Sequence, residues 1–316
     1  MAVLTIFFAT DIHGSETCFR KFLNAGKVYH ADVLIMGGDI TGKMIIPIVE
    51  LSGGTYTYQW LGSPYNIGRD DLSSHMKEIR LAGCYPYITN QEEMQHLEEQ
   101  PQVIRQIFRQ VLRTSVRDWL ALAAERLDGT GIECYITPGN DDDLSIDETF
   151  LGQNVVINPE KKVVALRGEI EMISSGYSNH TPWNSPREMD EDQLWEVIQE
   201  LAGQLSNPGK AIFNFHCPPY NSGLDTAARL DKTLKPITGI GGVQMGPVGS
   251  TAVLKAIKIY RPMLGLHGHV HESRGAIQIG QTLCVNPGSE YSEGILRGCL
   301  LMIEKGKIRN YLLTSG

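Results

Sequence analysis

The sequence predicts an α/β fold with more than one sheet, interrupted by a mainly helical insertion. Short apolar, β-branched runs alternate with amphipathic helical patterns through much of the chain. The last such runs have only turn residues between them, which points to an antiparallel C-terminal set. Residues 53–129 break the alternation and stand apart as the insertion.

The first run, residues 3–9, leads straight into Thr10 and Asp11. It lacks the basic start of a signal peptide, so a core strand is expected. Ser15 is placed to cap a helix whose Phe19, Phe22 and Leu23 share one face. Residues 33–36 form the next strand. Residues 45–51 and 55–60 face each other across Gly53 and Gly54 as a hairpin. Asn90, with Glu93 three residues on, marks a helix start. Pro101 opens a long helix whose apolar stripe includes Ile104, Phe108, Val111, Val116, Trp119 and Ala123, and Gly129 stops it. Residues 132–136, 170–174, 211–215 and 263–266 supply further strands. Among these, Asp190 caps a helix burying Leu194, Ile198 and Leu201, and Ser250 caps one that ends before Pro262. Runs at 276–279, 282–285, 299–303 and 308–313 follow. The expected division is a core of residues 1–52 and 130–316 carrying a hairpin-plus-helical cap at 53–129.

The formal net charge of −8 opposes broad nucleic-acid binding, because an acidic surface repels a phosphate backbone. The cysteines at 18, 84, 134, 217, 284 and 299 form no C-x-x-C pair, which removes support for a zinc ribbon. Scattered thiols in a chain of this length fit a reducing, cytoplasmic setting. No apolar run reaches the length of a membrane span.

Five separated segments carry metal-type ligands, each just after an apolar strand. They are Asp11-Ile12-His13, Gly37-Gly38-Asp39, Gly139-Asn140-Asp141-Asp142, His216, and Gly268-His269-Val270-His271. Ligands of open α/β sheets bind at the carboxyl ends of strands. A D-x-H alone is usually a turn, and a Gly-Gly-Asp alone usually a loop or cap. Five in succession at equivalent strand ends point to a metal-dependent phosphate chemistry. A phosphate ester resists attack because its oxygens are negative. Two divalent ions roughly 3.5–4 Å apart would offset that charge and make water a usable nucleophile. Asp39 suits a bridging carboxylate. The mixed carboxylate, amide and imidazole set suits Mn first, with Fe, Zn or Mg as alternatives.

This order of motifs resembles the calcineurin-like metallophosphoesterase superfamily over Asp11 to His271, outside the insertion. The resemblance implies a four-layer α/β/β/α sandwich of two mixed sheets. It implies that Asp11, His13 and His271 hold one metal, that Asn140, His216 and His269 hold the other, and that Asp39 bridges. Gly38-Asp39-Ile40-Thr41-Gly42-Lys43, His216-Cys217-Pro218-Pro219-Tyr220, His267-Gly268-His269-Val270-His271-Glu272 and Val285-Asn286-Pro287-Gly288-Ser289 look like the prokaryotic Icc-related predicted phosphoesterases. The expected reaction is hydrolysis of a small phosphate ester, with a phosphodiester favoured over a monoester. A metal-binding regulatory or interaction protein with little turnover is the alternative.

One position departs from the superfamily. Where most members have His after the metal-binding Asn, this chain has Asp141. Nearby metals would lower its pKa, which makes it a poor proton donor. The expectation is a preference for good leaving groups, with Asp141 and His267 as the catalytic candidates. Asn179 and His180, in the polar loop at 176–182, are candidates for substrate binding. So is Arg113, from the stripe Arg105, Arg109, Arg113 and Arg117. A solvated flank paired with acids elsewhere is the favoured explanation of that stripe. Self-association through the insertion is left open.

Overall fold

The computed structural model describes residues 3–316, so Met1 and Ala2 of the apolar start lie outside the described residues. Two six-stranded mixed sheets pack face to face. The first runs, edge to edge, Lys307–Ser315, Arg297–Glu304, Leu4–Ala9, Val33–Met36, Glu133–Ile136 and Val156–Ile157. The second runs Gly275–Ile279, Thr282–Asn286, Leu264–Leu266, Ile212–Phe215, Ile170–Ser175 and Val163–Leu166. The α-helices among the described residues are α1 (Glu16–Val28), α2 (Leu72–Leu81), α3 (Gln91–Glu99), α4 (Pro101–Leu127), α5 (Glu191–Gly203) and α6 (Thr251–Tyr260).

The period-two geometry of a strand divides the core into layers. In the first strand, Ile6 and Phe8 point between the sheets and meet Ile212, Leu264 and Leu266. Phe7 and Ala9 point the other way, into a layer with Phe19 and Phe22 of α1 and Trp119 of α4. On the far side, Phe213 and Phe215 pack under Leu194 and Ile198 of α5 and Val253 and Ile257 of α6. The result is the four-layer α/β/β/α sandwich expected. Burial of each large apolar side chain contributes about 1.5–3 kcal/mol.

The helix caps fall where sequence chemistry placed them. Ser15 accepts from the Cys18 N–H, Asn90 from Glu93 and Ser250 from Val253. Pro101 occupies the first turn of α4, where its missing N–H costs nothing. Among the described residues, no helix is long and apolar enough to cross a membrane.

Residues 53–129 are more than a hairpin and helices. A third sheet, ordered Ser63–Gly68, Thr55–Trp60, Ile45–Leu51 and Tyr85–Asn90, starts at Ile45, inside the stretch assigned to the core. Its own small core holds Ile46, Ile48, Tyr56, Tyr58, Ile67 and Ile79. Ser63–Gly68 carries a proline and a glycine, which hide its strand character from a propensity reading. The second half of α4 is no free cap. Trp119 stacks on Phe19 with centroids 4.4 Å apart, and Leu112, Val116 and Ala123 are buried in the same layer. The late strands do pair antiparallel, but as two hairpins, one in each sheet.

Candidate metal centre

Five strands end on one side of the sandwich, and the loops that follow them carry the ligand-type residues. Four of those residues take left-handed backbone: Asp11 (φ 54°), His13 (39°), Asp39 (50°) and His269 (67°). Such conformations cost of order 1–3 kcal/mol each in a non-glycine residue and persist only where surroundings impose them. Here the loops are tied together. Asp11 N–H donates to Gly38 O and His13 N–H to Asp39 O, both at 2.9 Å, and Gly268 N–H donates to His216 O at 2.9 Å. Gly38 has φ 126°, and a Cβ there would run into the His216 ring. Only glycine lets these loops close so tightly.

The side chains converge. His13 Nε2 and His271 Nε2 lie 2.9 Å apart. His13 Nε2 is 3.6 Å from Asp39 Oδ2, and His271 Nε2 is 3.4 Å from Asp11 Oδ1. His216 Nε2 is 3.5 Å from Asp39 Oδ2 and 3.8 Å from Asp11 Oδ1. His269 Nδ1 lies 2.7 Å from Asn140 Oδ1. Three groups of possible ligands result: Asp11, His13 and His271; Asp11, Asp39 and His216; and His13, Asp39 and Asp141. Within each, the ligand atoms lie no more than 4.8 Å apart.

The donor set fits a divalent cation. His216 Nδ1 donates to the Gly37 carbonyl at 2.9 Å, which leaves Nε2 to face the two carboxylates. That Nε2 is buried with no hydrogen-bond partner among the described residues. A ring fixed through one nitrogen and aimed with the other is how metal-binding histidines are held.

Electrostatics tell the same story. Burial favours a neutral His216 ring, but Asp39 and Asp11 outweigh it and push the ring up to about 10. Burial would raise Asp39, yet His216 and His13 hold it well below the ordinary carboxylate range. Burial lowers His13 to about 3 and His269 to about 4, so both rings offer lone pairs at neutral pH.

The catalytic candidates separate. Asp141 stands at the rim, with Oδ2 3.0 Å from Lys43 Nζ and Oδ1 accepting from Asn140 Nδ2 and Ser185 Oγ at 3.0 Å. His267 belongs to none of the three groups of possible ligands. Its side chain is fully buried, Nδ1 bonds the Phe215 carbonyl at 2.9 Å, and Nε2 lies over Gly265 toward Cys284. Its Nε2 is buried with no hydrogen-bond partner among the described residues.

The substrate candidates each have protein partners. Asn179 donates to the Val248 carbonyl and accepts from the Cys217 thiol beside His216. His180 is exposed between Glu188 and Asp190. Arg113 and Arg109 pair with Glu148 and Asp143, the flank reading of that stripe. A groove of about 750 Å³ bounded by Arg20, Arg80, Tyr87, Gln110 and Trp119 carries none of the ligand residues.

Sequence reasoning gave no role to several residues that shape the centre. Asp142 is buried and accepts from the Ile40, Thr41 and Gly139 N–H groups, which fixes the Asp39 loop against the Asn140 loop. Asn286 Nδ2 bonds the Gly268 and Val270 carbonyls and so shapes the loop of His269 and His271. The Tyr291 ring lies 4.7 Å from that of His13. Asp142 lies in the quoted Gly139–Asp142 segment and Asn286 in the quoted Val285–Ser289 stretch, whereas nothing in the sequence marks Tyr291.

No family model matches the chain. The uncharacterized protein MJ1162 of Methanocaldococcus jannaschii is 29% identical over 158 residues, which cover 49% of this chain. That match spans 64% of the relative, less than two thirds of its length. Among solved structures, TT1561 of Thermus thermophilus matches with TM-score 0.56 and 15% identity, over 100% of this chain and 99% of that one. The chain shares its fold. A second solved structure matches with TM-score 0.59 and 17% identity, over 99% of both chains. At such identities the likeness is one of architecture, and the chemistry must be argued from the side chains.

Proposed function

We propose that this chain is a metal-dependent phosphohydrolase of the calcineurin-like metallophosphoesterase superfamily, related to the Icc-type branch, acting on small phosphodiesters in preference to monoesters. The observation that carries the reading is the sharing of ligands: Asp11, His13 and Asp39 each belong to two of the three ligand groups. Shared carboxylates suit a pair of ions rather than one. Asp11, His13 and His271 would hold one ion, Asn140, His216 and His269 the other, and Asp39 would lie between them. Two divalent ions, Mn first, would offset phosphate charge and lower the pKa of water.

The chain's own residues supply position and environment. The Gly37 carbonyl keeps His216 Nε2 turned to the carboxylates. The His269 backbone N–H donates to both Asp11 oxygens at 3.0 Å, which orients that carboxylate. Asp141 sits at the mouth as an acceptor of hydrogen bonds and partner of a cation, not as a free acid. That supports a preference for leaving groups that depart without a strong proton donor.

The test is hydrolysis of bis-aryl and mono-aryl phosphates by the Mn-supplemented protein, beside an Asp39→Asn control. Diester turnover that disappears in the control, with monoester turnover lower, is the expected result. Full metal occupancy with no hydrolysis of either ester would favour a metal-binding protein without turnover.

A further inference from the structure

The rim of the candidate centre is asymmetric. Asp11, His13, Asp39, Asn140 and His216 are buried, whereas Asp141, His271 and Lys43 reach the surface. Lys43 is the most open of these, with 44% of its side chain exposed, and its Nζ lies 3.0 Å from Asp141 Oδ2. Asp141 is held from several sides. Its backbone N–H donates to Asp39 Oδ1 at 2.9 Å, and its Oδ1 takes Ser185 Oγ and Asn140 Nδ2 at 3.0 Å. The second oxygen is left to aim at Lys43.

This arrangement solves two physical problems. A bare carboxylate at the mouth would repel an arriving phosphate, and an ammonium beside it cancels that charge. A lysine has a flexible stem, and fixing its head in advance removes part of the entropy cost of gripping a ligand. A carboxylate oxygen of Asp141 and the ligand atoms of His13 and Asp39 lie within 4.8 Å of one another, so the Lys43 ammonium, paired with the same carboxylate, is tethered next to the cluster.

We propose that Lys43 is the substrate-phosphate clamp of this centre, contacting a non-bridging phosphate oxygen through Nζ, and that Asp141 is the positioning residue that holds it there. This rests on the phosphohydrolase reading above. No bond is made or broken by Lys43. It binds the phosphate that Asp141 alone would repel.

The experiment titrates inorganic phosphate into the full-length, Mn-loaded protein by calorimetry. It compares the unmodified protein with Lys43→Met, Lys43→Arg and Asp141→Asn, with metal content and melting temperature measured for each. Loss of a charge-assisted hydrogen bond predicts about 10- to 100-fold weaker phosphate binding for Lys43→Met, with metal content unchanged. Lys43→Arg keeps most of the affinity, and Asp141→Asn loses less than Lys43→Met. With a bis-aryl phosphate, Lys43→Met raises KM more than it lowers kcat. Unchanged phosphate affinity in Lys43→Met, beside an unmodified protein that binds phosphate and hydrolyses the ester, overturns the clamp alone. An Asp141→Asn protein that loses metal makes Asp141 a ligand and overturns its positioning role. Metal uptake without any phosphate binding in the unmodified protein overturns both this proposal and the reading beneath it.

Discussion

His216 points its Nε2 at Asp39, 3.5 Å from Oδ2, while its Nδ1 donates to the Gly37 carbonyl. The pair holds a proton that a cation must displace, because Asp39 and Asp11 push the His216 ring up to about 10. Metal binding at pH 7.5 is therefore expected to release about one proton from this ring, and affinity to rise with pH up to about 10. Calorimetry in buffers of different ionisation enthalpy measures the release. His216→Asn should lower it by about one proton. Equal release from both proteins would place the displaced proton elsewhere.

Asp142 predicts coupled loss of stability and metal. Its carboxylate accepts from Gly139 N–H at 2.7 Å, Thr41 N–H at 2.8 Å and Ile40 N–H at 3.0 Å. Asp142→Ala strands these three buried N–H donors, each costing about 1–3 kcal/mol, and also removes the acceptor of the Thr41 hydroxyl. Urea unfolding should show a loss of about 3 kcal/mol or more. Because the same bonds set Asp39 against Asn140, metal affinity should fall too, by roughly 10- to 100-fold, as for other residues supporting metal ligands. Normal metal binding in a destabilised Asp142→Ala protein would separate the two roles.

How much of this was open to a sequence reading depends on whether the signal is local. The ligand candidates Asp11, Asp39, Asn140 and His216 each follow an apolar run, and the end of a strand is visible in one dimension. Their convergence needs only that the strands lie side by side, which the α/β alternation implies. Lys43 is different. It stands four residues after Asp39 in a quoted motif, but its contact with Asp141 spans almost a hundred positions and leaves no pattern. His267 has a similarly non-local setting. It adjoins the His269 and His271 motif, but its ring bonds the Phe215 carbonyl and lies beside Gly265, contacts that no local pattern announces. The third sheet was half hidden because Ser63–Gly68 and Tyr85–Asn90 lack an alternating apolar pattern.

Trp119 decides whether α4 belongs to the body of the protein. Its ring stacks on Phe19 at an interplanar angle of 8° and is 8% exposed. Trp119→Ala should cost about 3–5 kcal/mol, as for other large core aromatics cut to alanine. Turnover per folded molecule should stay the same, since Trp119 belongs to none of the groups of possible ligands. A chemical denaturation curve with one transition and a lowered midpoint is expected. A small early transition with the main one unmoved would mean that α4 unfolds separately, as a cap.

Glu160 makes the last prediction, away from the metal ligands. One of its oxygens accepts the Gly176 N–H at 2.7 Å, and the other is buried with no hydrogen-bond partner among the described residues. Gly176 packs against the Pro138 carbonyl, so this carboxyl lies behind the Asn140 loop. Burial pushes it up from 4.5 to about 7, although the Gly176 N–H and Arg187 pull the other way. The folded protein thus holds this proton more tightly than the unfolded chain does. The sign follows: the contribution to stability is complete below about pH 4, shrinks as pH rises, and is gone above about pH 7. Its full size is about 3 kcal/mol. Glu160→Gln keeps an oxygen for the Gly176 N–H and cannot ionise. Between pH 5 and pH 8 the unmodified protein should lose roughly 2–3 kcal/mol more stability than the variant, by urea unfolding at each pH. If the two proteins lose the same amount, Glu160 is not the group whose ionisation loosens the wall behind the Asn140 loop.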